Sequence, residues 1–282
     1  MYNDSRELTY AQAINEAIRT AMSADDRVIC YGLGVPDPKG VFGTTTGLAE
    51  QFGTKRVFDV PTSENAFTGV GIGASMTGLL PIMTHQRLDF FLLAIDQLVN
   101  AAAKWHFMFG DQVSIPITIR LIIGRGWGQG PTHSQSLQSW FAHIPGLKVV
   151  MPSNARDAKG MMLSAIFDPN PVVFLEHRWL HNSKSLVPRD DYRVEIGSSE
   201  VVRSGNDITI VSSSIMTVEA LRASKYLSDR HGIDVDLIDA RSIKPFDWTT
   251  LFKSVSKTGR LLDLDSGFSN CSFSSEICSR VA

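Results

Sequence analysis

Short apolar runs of strand length alternate with longer amphipathic segments along this chain, and that alternation limits the fold more than any other feature. The strand-length runs lie at 27–31, 56–60, 80–83, 115–123, 147–151 and 172–176, and again at 207–213, 234–239 and 260–264. Helix-length patterns at 10–24, 91–107, 155–167, 216–231, 248–257 and 274–281 fall among them. Strands spaced by helices predict an α/β fold: parallel sheets, doubly wound, with helices on both faces. Thr9 with Gln12 three residues on is a capping box that opens the helix from Tyr10 to Ala24, where Ile14, Ile18 and Met22 share one face. On 91–107 the stripe Phe91, Ile95, Leu98, Ala102, Trp105 is backed by alanines, so that helix is expected to be buried, at a contact between subunits.

A polar stretch from His181 to Ser199, with Pro188 and the pair Asp190 and Asp191, reads as a domain boundary. It divides the 282 residues into a first domain at 1–182, a linker at 183–199 and a second domain at 200–282. With 43% hydrophobic and 20% charged residues the chain is neither disordered nor fibrous. Its 27 basic residues against 29 acidic ones lack the basic excess of a phosphate-backbone binder, so nucleic acid is not an expected partner. The charge-free run 65–84 is broken by Gly69, Gly71, Gly73, Gly78 and Pro81 and reads as a buried small-residue element, not a membrane span. The first residues, MYNDSRELTY, lack the basic flank and apolar run of a secretory signal. Cys30, Cys271 and Cys278 are odd in number and form no C-x-x-C pair, which fits a reducing, cytoplasmic setting.

Several residues stand out chemically. Gly69, Gly71 and Gly73 with Ala74 match G-x-G-x-x-A, but the preceding strand ends near Pro61, so these glycines fall inside a helix. There each costs about 1 kcal/mol against alanine, which implies a close neighbour, either another helix or a ligand. Glu64 stands where a strand end opens a helix behind Ser63 at the N-cap position; it is either a carboxylate that serves the helix start or a ligand contact beyond a strand's carboxyl end. His133 lies in the glycine-rich loop 124–136, where the backbone can approach a ligand closely, or it is a surface histidine. His177 and His181 have helical metal-ligand spacing but no evident third ligand. There is no G-x-S-x-G nucleophile elbow.

Taken together, the stretches R-V-F-D-V-P-T-S-E-N (56–65), A-I-D-Q-L-V-N-A-A-A-K (94–104), T-H-S-Q-S (132–136), H-I-P-G-L-K-V-V-M-P-S-N-A-R-D-A-K-G (143–160), N-P-V-V-F-L-E (170–176), I-D-A-R-S-I-K-P-F-D (238–247) and K-T-G-R-L-L (257–262) carry a resemblance. The chain resembles, over essentially its whole length, the beta subunit of the thiamine-diphosphate-dependent first component of 2-oxo acid dehydrogenase complexes, a relative of the pyrimidine-binding half of transketolase. The resemblance implies a transketolase-like pyrimidine-binding domain followed by a transketolase C-terminal-type domain, shortened at its end, where relatives add at least a strand and a helix.

The resemblance also implies roles. Glu64 falls on the family's cofactor-activating glutamate, whose carboxyl group hydrogen-bonds N1′ of the aminopyrimidine ring; Phe90 matches the aromatic residue that stacks on that ring; His133 matches the histidine at the mouth of the site. Backbone carbonyls of Ile117, Ala165, Asp168 and Asn170 match a structural potassium site. The family grips the diphosphate through Mg²⁺ with a G-D-G motif, and this chain has none, the nearest stretch being Gly110-Asp111-Gln112. An alpha subunit carrying that motif is therefore the implied partner, in an α2β2 heterotetramer. Two departures bear on substrate choice. Relatives carry a G-E-D pattern where this chain has Gly32-Leu33-Gly34, and the segment 83–91 is unusually basic, placing His85 and Arg87 near the pocket. Arg178, after the last strand of the first domain, is the third candidate for contact with an anionic substrate group. The expected activity is decarboxylation of a 2-oxo acid with transfer of the acyl group to the lipoyl arm of an acyltransferase. The alternatives are a split transketolase or carboligase that passes an acyl or ketol unit to an aldehyde, and a scaffold subunit without chemistry.

Overall fold

In the computed structural model, which describes residues 4–282, the alternation becomes three sheets. Strand β1 (Ser5–Thr9) leads into α1 (Tyr10–Ala24), followed by β2 (Val28–Tyr31), α2 (Leu48–Phe52), β3 (Val57–Phe58), α3 (Glu64–Met76), β4 (Leu80–His85) and α4 (Leu88–Phe91). A 3₁₀ turn at Leu92–Ala94, a π-helical stretch at Gln97–Ala102 and α5 (Trp105–Met108) come next, then β5 (Thr118–Ile123), α6 (Gln138–His143), β6 (Lys148–Val150), α7 (Ala155–Ile166), β7 (Val172–His177), a 3₁₀ turn at Arg178–Asn182 and β8 (Lys184–Pro188). The rest holds β9 (Glu200–Arg203), β10 (Ile208–Ser212), α8 (Ile215–His231), β11 (Val235–Asp239), β12 (Ser242–Lys244), α9 (Trp248–Thr258), β13 (Leu261–Leu264) and α10 (Phe273–Val281).

The large sheet runs β12-β6-β7-β5-β4-β2-β3, parallel throughout except for β12, which returns from the C-terminal part to pair antiparallel with β6. Strands β2, β4, β5 and β7 are buried along their whole length, which is why they read as near-continuous apolar runs. Alternate side chains feed two cores. Val28 and Cys30 face α1 and α7, while Ile29 and Tyr31 face the side of Phe67, Phe91 and Leu98. The smaller sheet runs β13-β10-β11-β9, with only β9 antiparallel.

The capping box forms as expected: Thr9 Oγ1 accepts from Gln12 N at 3.2 Å and Gln12 Oε1 from Thr9 N at 2.9 Å. The expected continuous helix at 91–107 does not form. Ala103 N donates to Leu98 O, five residues back, and this wider turn brings Ala103 O so close to Gly146 that a Cβ there would lie 1.9 Å from it. Nor is 183–199 an open linker. Its β8 pairs antiparallel with β1, and Lys159 Nζ, buried in α7, donates to the carbonyls of Pro188 and Asp190 at 2.9 Å each. Neither ribbon strand showed in the sequence, because a two-stranded pair half in solvent has no apolar run.

Two buried charge clusters hold the layers in register. Arg120, wholly buried in the middle of β5, forks onto Glu176 of β7 (Nε–Oε1 2.7 Å, Nη2–Oε2 3.0 Å) and reaches Thr84 of β4 and Thr44 of the loop after β2. Burial alone would raise the Glu176 carboxyl, but the Arg120 charge and the hydrogen bonds from His181 and Arg120 outweigh it and hold it below its ordinary value. Between the two sheets, Ser153 donates to Asp239, whose carboxyl is pushed up to about 7, chiefly by burial and further by the nearby Asp157 charge.

Replacing one partner leaves the other buried and unpaired, so Arg120→Met is expected to cost about 3–5 kcal/mol in urea unfolding. An unchanged midpoint would remove the fork from the account of stability. The folded state keeps a proton on Asp239 that the unfolded chain releases from about pH 4 upward. Stability should therefore fall as pH rises from about 4 through about 7, and Asp239→Asn should flatten that slope in thermal melts across the range.

Candidate active site

In a doubly wound sheet the carboxyl ends of the strands all open on one side, where the loops gather and ligands sit. Five loops of the large sheet meet there. The loop after β2 supplies Phe42, the link after β3 ends at Glu64, and the turn after β4 supplies Arg87 and, on α4, Phe90. The loop after β5 supplies Trp127 and His133, and the turn after β7 supplies Arg178.

Glu64 is the first residue of α3 and is 6% exposed. Ser63 occupies the N-cap position but its side chain makes no capping hydrogen bond. Among the described residues the Glu64 carboxylate has no hydrogen-bond or ion-pair partner. Of the helix glycines, Gly71 admits the closest neighbour: a Cβ there would lie 1.9 Å from Tyr31 Oη, which donates to Phe67 O at 3.1 Å, whereas one at Gly69 would lie 3.2 Å from Gln97 Oε1. The small residue thus seats β2 directly under α3. Asp59, just after β3, accepts from the amides of Val60 and Gly34 and so ties down the Gly32-Leu33-Gly34 turn, where no carboxylate is contributed by the turn itself.

Phe90 and His133 come together, their rings 5.3 Å apart and edge to face. Phe90 is 37% exposed, an open aromatic face at the mouth. The pair is positioned by Asp89, whose Oδ1 accepts from Gln135 Nε2 at 2.8 Å and so pins the loop 124–136 to α4. Asp89 and Gln135 were not singled out from sequence; the only signal was an acidic residue inside an otherwise basic and aromatic segment.

His85 is not at the mouth. It is 3% exposed, stacked on Phe67 at 5.0 Å and edge-on to Phe91 at 4.9 Å. Burial lowers its pKa to about 3, so it is a neutral member of the aromatic core beneath α3, a correction to its expected contact with substrate. The two other candidates, Arg87 and Arg178, do converge. Arg87 lies 4.3 Å from the Trp127 ring centre and Arg178 4.4 Å from that of Phe42.

His177 and His181 do not form a metal pair. His177 contacts Arg125 O and Trp179 N, while His181 Nε2 lies 3.2 Å from Glu176. Among the described residues no group of three or more His, Cys, Asp or Glu side chains is arranged to hold a metal. The expected potassium set gathers at the opposite end of the strands, where Ile117 O already accepts from Val172 N and Ala165 O from Asp168 N. Lys148 Nζ pairs there with Asp168 Oδ2 at 2.5 Å, a side-chain contact separate from the backbone carbonyls of that set. A cavity of about 1280 Å³ lies elsewhere, between the two sheets, walled by Ile95, Trp140, Phe246 and Phe273. None of the candidate residues lines it, so its size says nothing about the chemistry. No helix among the described residues is long and apolar enough to cross a membrane.

Comparison with known proteins accounts for this arrangement. Residues 6–183 match the family described as transketolase, pyrimidine binding domain, and residues 197–282 match transketolase, C-terminal domain. The chain is 42% identical over 275 residues to the pyruvate dehydrogenase E1 component subunit beta of Rhizobium meliloti, covering 97% of this chain and 60% of that protein. It is 39% identical over 290 residues to the acetoin:2,6-dichlorophenolindophenol oxidoreductase subunit beta of Bacillus subtilis, covering 99% of this chain and 84% of that one. In fold it is similar to a solved structure described as split gene transketolase, inactive beta4 tetramer, with TM-score 0.76 and 22% identity over 91% of this chain and 79% of the other. The chain belongs to the family of these dehydrogenase E1 beta subunits, built from a transketolase pyrimidine-binding domain and a transketolase C-terminal domain.

Proposed function

We propose that this chain is the beta subunit of a thiamine-diphosphate-dependent enzyme that decarboxylates a 2-oxo acid and hands the acyl group to a lipoyl acceptor. One observation carries the reading. Glu64 is 6% exposed, its carboxylate has no partner among the described residues, and it opens α3 at the carboxyl-terminal side of the sheet, the side on which the Phe90–His133 pair stands. A buried carboxyl group without a partner is costly unless a ligand or a second chain completes it. Thiamine diphosphate, when bound, supplies a nucleophilic carbon and a sink for the electrons left by departing carbon dioxide. Glu64 would hold the proton shared with N1′ of the aminopyrimidine, Phe90 would offer its exposed face to that ring, and His133 would exchange a proton at the substrate carbonyl or the arriving acceptor.

The diphosphate and its Mg²⁺ fall to the partner in this proposal, because the chain has no G-D-G motif. The assembly is then an α2β2 heterotetramer with the coenzyme between unlike chains, served in a reducing cytoplasm by a lipoyl acyltransferase. The units of the chain are taken as residues 1–182 and 200–282, joined by 183–199. A second reading, transfer of the acyl or ketol unit to an aldehyde, is favoured by one feature: the turn Gly32-Leu33-Gly34 brings no acidic pair to the pocket. It uses the same Glu64 and Phe90 and differs only in the acceptor that turns over.

With the purified αβ complex, Glu64→Gln should lower kcat for 2-oxo acid decarboxylation, followed with an artificial electron acceptor, by about a hundredfold or more while circular dichroism stays unchanged. Normal turnover by the variant would refute the role given to Glu64 and leave the scaffold reading standing. Because His85 stays neutral above about pH 3, its imidazole carbon shifts should not titrate between pH 5 and 8. A midpoint in that range for His85 would return it to the list of charged groups that meet substrate.

A further inference from the structure

Arg87 and Arg178 approach from different loops and share one aromatic support. The Arg87 guanidinium carbon lies 4.3 Å from the Trp127 ring centre and 5.1 Å from that of Phe42, and the Arg178 carbon lies 4.4 Å from Phe42 and 5.5 Å from Trp127. The two rings meet edge to face at 6.1 Å, and Phe42 holds its place with a left-handed backbone, φ 50°. That conformation is uncommon for a residue with a side chain and costs energy the surroundings must offset.

Aromatic faces orient guanidinium planes but do not neutralise them. Among the described residues neither arginine has a carboxylate within ion-pair distance. Among the described residues the Arg178 guanidinium makes no hydrogen bond, and that of Arg87 reaches only Gln86 O and Gln129 Oε1. The Nε of each is buried without a partner. Burial, and for Arg87 then the Arg178 charge beside it, lowers both guanidinium groups from their ordinary values; the nearby Asp89 offsets this only in part. Two like charges held on one support, with several of their N–H donors unused, are half of a charge-assisted hydrogen-bond site.

The site adjoins the mouth described above. Arg87 stands three residues before Phe90, and the loop that carries Trp127 and Gln129 also carries His133. Resting on the thiamine-diphosphate reading, which it deepens, we propose that Arg87 and Arg178, oriented by Phe42 and Trp127, grip a second anionic group, a carboxylate or a phosphate, at the far end of the substrate. The substrate class is then a 2-oxo acid that carries an additional negative charge.

The test uses the αβ complex without coenzyme. Glutarate and methyl phosphate are titrated as mimics of the far group, with glutaramide as the uncharged control, and intrinsic tryptophan fluorescence is read. Saturation by an anion but not by glutaramide, with the signal lost in Trp127→Phe and the affinity weakened by about tenfold or more in Arg178→Gln, supports the site; the tighter anion names its chemistry. Equal response to glutaramide, no saturation, unchanged affinity in Arg178→Gln, or displacement of the anion by thiamine diphosphate would overturn it. With coenzyme present, the ratio of kcat/KM for 2-oxoglutarate over 2-oxobutanoate should exceed about ten and should fall in Arg87→Gln and Arg178→Gln through KM. Where glutarate is the tighter anion, a ratio near one would also overturn the proposal. Because the titration needs neither coenzyme nor turnover, an active Glu64→Gln complex would reject the thiamine reading and still leave this site to be judged by anion binding alone.

Discussion

A guanidinium sealed away from water must have its partners brought to it, and in this fold the partners come from every strand that matters. Arg120 stands at the centre of β5 and binds Glu176 of β7, Thr84 of β4 and Thr44 of the loop after β2. Glu176 in turn holds His181 of the turn after β7, and Tyr10 of α1 stacks on that histidine at 6.0 Å. These are the strands and loops that end at the mouth: Thr44 lies two residues from Phe42, Glu176 two from Arg178, Thr84 three from Arg87. A buried ion pair is weak as a source of stability, since desolvation offsets most of the attraction. Its geometric consequence is stronger. A fork that fits only one register fixes three neighbouring strands, and therefore their carboxyl-terminal loops, relative to one another.

The two ends of the large sheet are then treated differently. At the amino-terminal end Lys148 pairs with Asp168, and the carbonyls of Ile117 and Ala165 pair with backbone amides. That end is scaffold. At the other end the partners given to side chains are other loops, Asp89 with Gln135 and Arg87 with Gln129, so the contacts that shape the mouth are contacts between the pieces that form it. Such a rim is held where loops meet and open where they do not.

What the sequence showed and what it hid divide along physical lines. The capping box at Thr9, the buried parallel strands and the glycine under Tyr31 were legible because each is a local rule: a fixed spacing, a run of apolar residues, a helix-breaking residue kept inside a helix. Position 64 was legible as a strand end that opens a helix, and the family resemblance said which chemistry belongs there. The hidden features depend on partners distant in the chain. The 91–107 stripe reads as one helix, but its wider turn at Ala103 packs against Gly146, a neighbour far along the chain. Strands β8, β9 and β12 are short or half-exposed, and their partners β1, β11 and β6 lie far away in sequence. His85 and Arg87 are two residues apart and looked alike as basic groups, yet strand alternation and the turn after it send one under α3 among phenylalanines and the other to the rim.

The distribution of orphaned polar atoms carries the argument one step further. Native interiors pair nearly all their buried polar groups, so those left over mark places where something other than the chain's own atoms is expected. Here Arg87 Nε, Asp89 Oδ2 and Arg178 Nε are buried without partners beside the mouth, while Thr118 Oγ1, Gln138 Oε1, Ser214 Oγ, Asp263 Oδ2 and others are so elsewhere in the molecule. Glu64, from the neighbouring loop, adds a carboxylate with no partner. A fold that gives Arg120 four side-chain hydrogen bonds and Lys159 a run of carbonyls does not lack the means to satisfy these. What sets the mouth apart is that its unpartnered groups come in both signs, a carboxylate on the α3 side and two guanidinium groups on the Trp127 side. An occupant that matched both signs would offer a hydrogen-bonding group at one end and negative charge at the other.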